Sequence, residues 1–422
     1  MEPSSPAPAE AAERRAPRLL APLRERPFFL YFVGQLLSQI GNGVFLVALP
    51  FLVLDQGGGS AQLGVVLACY GTVRLVAFPL GGTLADRWGA RRMMLVSDAM
   101  RVVVVLGFAL LSTFDPVPLW ALLAVAMPLG ALDGVFLPAS FAVLPTILSK
   151  ANLGAGNSVN SVMVSSAQIA GPALGGALVG SLKSDIAFVI NSATFLASSL
   201  TLLAIRPSRP EADREAAQGE TVGDGPLTWG AVLRYVLGSA LLRMSLLVTL
   251  VVNLAYFGMM EVALPSFARN QLGHGAQGFG IILTGFGVGS VIGALCGSTL
   301  LRLRRRGLIA LVLGVAEGLA VLLVPLGSSI VVATAAMLVA AAIQAVLNVF
   351  YVTMIQREVP EGSLGRVMSL IVTCAGAAFP LSTLLAGAAT DTTGPTGVII
   401  VAGLGISAAF VLGFFSKPYR NL

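Results

Sequence analysis

The sequence predicts an all-α polytopic membrane protein, with twelve transmembrane helices arranged as two pseudo-symmetric six-helix bundles. Three observations carry that expectation. Hydrophobic residues make up 56% of the 422 positions and charged ones only 11%, against about 25% charge in soluble domains. Apolar runs of ~20 residues, long enough to cross ~30 Å of hydrocarbon as helix, recur along the chain. Pieces of the first half also return in the second, in the same order. Val47-Ala48-Leu49-Pro50 reappears as Val262-Ala263-Leu264-Pro265, Arg91-Arg92 as Arg304-Arg305-Arg306, and Leu153-Gly154 with Ser158 as Leu364-Gly365 with Ser369. A duplicated bundle leaves such a trace.

Taken in order, residues 1–27 are rich in Pro, Ala, Glu and Arg without an apolar core. They predict a disordered tail rather than a signal peptide or a domain. The first bundle, 28–205, holds six spans. Phe28 to Leu54 is followed after a glycine-rich turn by Ala61 to Gly82, and a charged turn then forces a hairpin into Met93 to Thr113. Val117 to Leu144 begins behind Asp115, Ala155 to Leu182 behind Lys150, and Ile186 to Ile205 behind Lys183 and Asp185. Residues 206–240, with Pro207, Pro210, glycines and charges of both signs, read as a linker. The second bundle, 241–415, comprises Leu241 to Ala268, Gly278 to Leu301, Leu308 to Gly327, Ile330 to Ile355, Val367 to Ala389 and Gly397 to Phe415. A polar C-terminus, 416–422, closes the chain.

Lysine and arginine fix the orientation. All but four of the 26 lie in the tail, alternate loops, linker and C-terminus; Lys183 and Arg269 fall on the opposite side, and Arg74 and Arg101 inside helices two and three. The positive-inside rule makes the crowded side cytoplasmic, with both termini. The chain is therefore expected as a monomer in the cell (inner or plasma) membrane, with the lipid bilayer as a partner. A net charge of +6 would suggest nucleic acid in a soluble chain, but basic residues in short loops between apolar spans orient helices instead, so no nucleic-acid partner is expected. Cys69, Cys296 and Cys374 sit inside apolar runs and His274 is the only histidine. That pattern argues against disulfides and metal sites. Without a phosphate loop or nucleotide fold, neither a cofactor nor an enzyme is expected.

Between spans two and three, Gly81-Gly82-Thr83-Leu84-Ala85-Asp86-Arg87-Trp88-Gly89-Ala90-Arg91-Arg92 leaves almost no room for a loop. Gly82 and Gly89 let helix ends approach, while Asp86, Arg87, Arg91 and Arg92 must stay at the aqueous face. This segment resembles the signature loop of the major facilitator superfamily, and the resemblance covers nearly the whole chain. It implies the major facilitator fold and alternating access. In helix five, Gly171-Pro172-Ala173-Leu174-Gly175-Gly176 is similar to the Gly-Pro-x-x-Gly-Gly motif of drug and proton antiporters, which points to export. Pro172 lacks a backbone donor and Gly171, Gly175 and Gly176 present a flat surface, suited to a hinge; a plain packing interface is the alternative. Gly285, Gly289, Gly293 and Gly297 form a comparable stripe in helix eight. Asp86 can accept hydrogen bonds from a helix N-terminus. By the resemblance that helix is the eleventh, near Arg366 and Val367, and the turn is a cytoplasmic gate. The corresponding Leu301-Arg302-Leu303-Arg304 has lost the acid.

Polar groups inside spans are costly in lipid and so face protein or water. Gln35, Gln39 and Asn42 share one face of helix one, a spacing that Gln344, Asn348 and Tyr351 repeat in helix ten. Asn253 and Glu261 share a face of helix seven, and Asp133 lies inside helix four. By the resemblance, these four helices line a central cavity; the alternative for each amide is to bond helices together. Phe45, Phe136, Tyr256, Phe257, Met259, Met260 and Phe350 would add an adaptable apolar lining, or simply pack the core. Arg74, Asp133 and Glu261 are the proton-coupling candidates. Counting ~1.5 Å per residue puts Arg74 and Asp133 at similar depth, close enough for a salt bridge. Asp133 could take up a proton when Arg74 or substrate leaves it; a permanent ion pair is the alternative. Glu317 is assigned to the periphery, because helix nine is an outer helix in the superfamily.

One departure matters. Met127-Pro128-Leu129-Gly130-Ala131-Leu132-Asp133-Gly134 lacks the arginine that better-known proton-driven exporters carry in helix four. Its Asp-Gly pair, with Arg26-Pro27-Phe28-Phe29, looks instead like the branch containing macrolide efflux proteins and siderophore exporters. The expected activity is proton-coupled export of small amphipathic molecules, drugs or secondary metabolites, by alternating access. A dedicated siderophore or natural-product exporter, a lysophospholipid flippase and a non-transporting sensor or scaffold are the alternatives. The intact acidic turn and the helix-five motif disfavour the scaffold.

Overall fold

The computed structural model describes residues 20–114, 116–149, 152–205, 229–300, 306–359 and 361–415. Among these there are helices and no strands. The predicted tail to residue 19, the linker over 206–228, Asp115, Lys150, the arginines at 302, 304 and 305, and the C-terminus at 416–422 lie outside the described residues.

The first six crossings are α1 (Arg26–Asp55), α2 (Ser60–Trp88), α3 (Ala90–Leu111), α4 (Leu119–Ile147), α5 (Leu153–Leu182) and α6 (Ser184–Ala204). They are followed by α7 (Ala240–Asn270), α8 (Gly275–Leu300), α9 (Arg306–Leu323), α10 (Ile330–Glu358), α11 (361–393) and α12 (395–414). Among the described residues, ten helical segments are long and apolar enough to cross a membrane, and Gly307–Leu323 is a shorter apolar helix. The last of the ten, Arg366–Phe414, holds two crossings folded back at Gly394, where φ 78° and ψ 162° are open to glycine and not to a side chain. That makes twelve. Large apolar side chains such as Val103, Trp120, Phe141, Val331 and Val401 point outward, as a helix solvated by lipid requires.

Helices α1–α6 pack with one another, as do α7–α12, and the halves meet along α2 with α11 and α5 with α8. Within the predicted linker, Trp229–Gly238 is helical, and its Val232 and Val236 are buried against Ile355, Val367 and Ile371. Apolar spacing of four on a short helix is enough to dock it.

Small residues decide how closely the halves approach. A Cβ on Gly176 of α5 would lie 2.9 Å from the Cα of Gly280 on α8, and one on Gly280 would lie 2.7 Å from the Cα of Gly176. Only hydrogen fits there. Gly171 and Gly175 press in the same way on Gly43 and Val44 of α1, so the Gly-Pro-x-x-Gly-Gly stretch is the joint of α1, α5 and α8.

The two ends of the molecule differ. At the Asp55 end, Arg269 Nε donates to Asp55 Oδ1 at 2.7 Å, and Ser60 and Ser266 share a hydroxyl hydrogen bond of 2.9 Å. Asp391, at the end of α11, accepts from the backbone N–H groups of Ser60 and Ala61 at 2.8 and 3.0 Å, capping the start of α2. At the opposite end, Asp86, Arg87 and Arg92 are exposed, and among the described residues Asp86 makes no hydrogen bond or ion pair. A Cβ on Gly82 would meet nothing within 4 Å. The predicted contact of Asp86 with the start of α11 is thus not made in this conformation, which is shut at the Asp55 end and parted at the Asp86 end.

Candidate substrate cavity and buried charge network

A cavity of about 730 Å³ opens between the parted helices, within the few hundred to a thousand cubic ångströms typical of ligand sites. Its wall comes mainly from the second half. Asn253, Tyr256 and Phe257 reach it from α7, Gln344, Asn348, Phe350 and Tyr351 from α10, and Gln168 from α5. Glu317 of α9 also lines it, with only 2% of its surface exposed, which corrects its assignment to the periphery. Helix position in the bundle gave the wrong answer because this carboxylate points inward past its neighbours.

Other expected lining residues lie elsewhere. Phe45 packs against Phe108 and Phe188 at ring separations of 5.5 and 5.9 Å, inside the first half. Phe136 is buried under a guanidinium, Gln35 is buried and bonded to Ser198, and Met260 is buried in the core. Gln39 and Asn42 are half-buried and bond each other at 3.0 Å, and neither lines this cavity. For Gln35, the helix-bonding alternative is the one the geometry realises.

The ion pair of Asp133 is also different from the expected one. Its Oδ1 accepts from Arg101 of α3 and its Oδ2 from the Tyr70 hydroxyl of α2. Arg101 continues to Asp98 Oδ1 at 3.2 Å, Ser198 Oγ donates to Asp98 Oδ2 at 2.6 Å, and Gln35 Nε2 donates to Ser198 at 3.3 Å. Five helices of the first half are thereby tied through one chain of hydrogen bonds. Arg101 and Asp98 are almost fully buried, whereas 21% of Asp133 is exposed at the end of the chain. Arg74, one turn beyond Tyr70, points into the space between the halves. Its charge acts on Tyr70, Asp133 and, across that space, Glu261 of α7. Helical rise set the depths of Arg74 and Asp133 correctly for a pair, but rise says nothing about azimuth. The sequence signal for part of this network was Asp98-x-x-Arg101, opposite charges at i and i+3 within an apolar span; it does not reach Asp133.

Glu261 lies in a π-helical segment, Met259–Ala263, that interrupts α7. Just before it, Ser382 Oγ of α11 accepts from Gly258 N–H at 2.6 Å and donates to the Leu254 carbonyl at 2.5 Å. A hydroxyl inserted into the i to i−4 ladder bends a helix and satisfies the groups it separates. At the turn, Arg91 donates to the carbonyls of Leu202 and Leu203 at 2.7 and 2.8 Å, capping α6. Arg91 therefore serves the C-terminus of its own half rather than a contact across the gate.

The family model described as Major Facilitator Superfamily matches residues 31–383. The multidrug efflux pump Tap of Mycolicibacterium fortuitum is 30% identical over 409 residues, covering 94% of this chain and 97% of its own. The enterobactin exporter EntS of Salmonella typhi is 26% identical over 357 residues, 83% of each chain. In fold alone, the solved structure of the nucleoside transporter NupG is similar, with a TM-score of 0.74 at 14% identity over 93% of this chain and 100% of that one. With a family match over most of its length and twelve crossings around a cavity, the chain belongs to the Major Facilitator Superfamily and is a multi-pass membrane transporter rather than an enzyme.

Proposed function

We propose that the protein is a proton-coupled exporter in the cell membrane, acting as a monomer with both termini cytoplasmic and carrying small amphipathic molecules outward by alternating access. Similarity to Tap and EntS, both named as exporters, supports the direction. The concentration of arginine at the Asp86 end supports placing that end in the cytoplasm, so the cavity opens inward in this conformation.

The observation that carries the coupling is the position of Asp133: partly in reach of water, yet bonded to a guanidinium buried behind it. Ionised, Asp133 holds α4 to α3 through Arg101 and to α2 through Tyr70. A proton arriving on either oxygen removes the negative charge, weakens both bonds and leaves Asp98 as the ionised carboxylate on Arg101. Loss of that charge also changes the field at Arg74 and so reaches Glu261 across the halves. The proton's arrival is thus felt where the halves move. The substrate meanwhile occupies the cavity of the second half, among Tyr256, Phe257, Phe350 and the amides of Gln344 and Asn348.

The test uses the protein in vesicles with an imposed pH gradient, screening dyes, macrolides and siderophores. The wild type should move a substrate in proportion to the gradient. Asp133→Asn should lower gradient-driven movement at least about tenfold, the effect of ~1.4 kcal/mol lost from coupling, while binding persists; unchanged coupling refutes the assignment. A dedicated siderophore exporter is the second reading, favoured by the likeness to EntS. Movement of siderophores and of no dye or macrolide would select it.

A further inference from the structure

Glu317 stands outside the Asp98, Arg101 and Asp133 network. It is the only acid of α9, and among the described residues no ion pair includes it. Its Oε1 has no hydrogen-bond partner although the residue lines the cavity. Next to Glu317, α9 and α12 nearly touch. A Cβ on Gly403 would lie 2.8 Å from the carbonyl oxygen of Gly318.

Among the described residues, the groups around this carboxyl are polar or aromatic, not cationic. Helix α7 presents Tyr256, whose buried hydroxyl interacts with Glu317 and with Glu261. Helix α10 presents the Gln344 amide beside that hydroxyl, α8 presents the Phe286 ring 6.0 Å from the Tyr256 ring, and α12 presents Ser407, which bonds the Val315 carbonyl. Arg357, the cation among the described lining residues, stands at the far end of α10. An ionised carboxylate buried without a partner is far costlier than one paired with a cation. Glu317 has a place to put a positive charge and none to draw on.

We propose that Glu317 is the counter-charge for a cationic group of the transported molecule, so that the cavity takes monovalent cationic amphipaths, with Tyr256 and Phe286 turning aromatic rings to the same charge. This rests on the exporter reading and names its substrate class. The exchange balances. The neutral acid and a bound cation become a carboxylate paired with that cation, and one proton leaves to the solution at the open end.

The experiment titrates the full-length protein in lipid nanodiscs, in weak buffer, with ethidium and with tetraphenylphosphonium, whose charges are permanent. The wild type should bind at least one of them, more weakly as pH falls, releasing about one proton per cation bound. Glu317→Gln should bind that cation roughly 30-fold more weakly, as when one partner of a buried charge pair is removed, and release no proton. Binding of neither cation by the wild type, binding without proton release, or wild-type affinity in Glu317→Gln would each overturn the proposal. If the variant fails to fold, proton release by the wild type decides alone. These are equilibrium measurements, so a wild type that releases protons on binding yet moves nothing along a pH gradient would refute the exporter reading and leave the cation site standing.

Discussion

Arg101 is the most heavily used single side chain in the structure. With 2% exposure it serves Asp98, Asp133 and the Leu132 carbonyl, and its guanidinium lies 4.2 Å from the centroid of Phe136 and 5.4 Å from that of Phe195. Aromatic faces partly replace the water that burial removes. Replacing it by Met would leave Asp98 and Asp133 without the cation that bridges them. Breaking a buried pair in this way costs about 3–5 kcal/mol, so Arg101→Met should lower the thermal unfolding transition of the detergent-purified protein markedly; an unchanged transition would mean that the carboxylates find other partners. The charges were all visible in the sequence, but their pairing was not. Residue spacing along one helix fixes which side chains share its face, while the rotation of that face toward a neighbour depends on packing. For the same reason Phe45 and Phe136 could be placed at the right depth and still on the wrong side.

Among the helices, two features control how the halves meet. The glycines of α5 were legible as a flat surface because a missing side chain is a fact of sequence, and the structure puts that surface on α1 and α8. Gly176→Val should block closure at the Asp55 end, since its first side-chain carbon would already crowd Gly280 at 2.9 Å. Cysteine probes placed near the cavity should then react from the Asp55 side and less from the other; unaltered labelling would show that this contact does not hold the end shut. The break in α7 was legible only in part. Pro265 offers no N–H to the Glu261 carbonyl four residues earlier, but the hydroxyl that accommodates the break comes from Ser382, more than a hundred residues away.

For the whole molecule, α2 and α11 form a pair with an acid at the end of each. Asp391 caps the start of α2 here, while Asp86, at the other end of α2, is free among the described residues. If these are alternate locks, Asp391→Asn should favour opening at the Asp55 end and Asp86→Asn should favour the conformation seen here. A charge at a helix N-terminus is worth about 0.3–2 kcal/mol, so accessibility ratios measured with cysteine probes should shift in opposite directions by roughly two- to thirty-fold. Shifts in the same direction would dismiss the idea.

By itself the sequence determined twelve crossings, the charged turn, the glycine joint and the family, because hydrocarbon thickness, charge at the interface and missing side chains all act on neighbouring residues. Tertiary structure alone decided that Arg101 rather than Arg74 holds Asp133, that Glu317 lines the cavity, and that the Asp55 end is the one shut. Those outcomes depend on how each helix is turned about its axis and how one bundle leans on the other, relations between distant segments that no local pattern encodes.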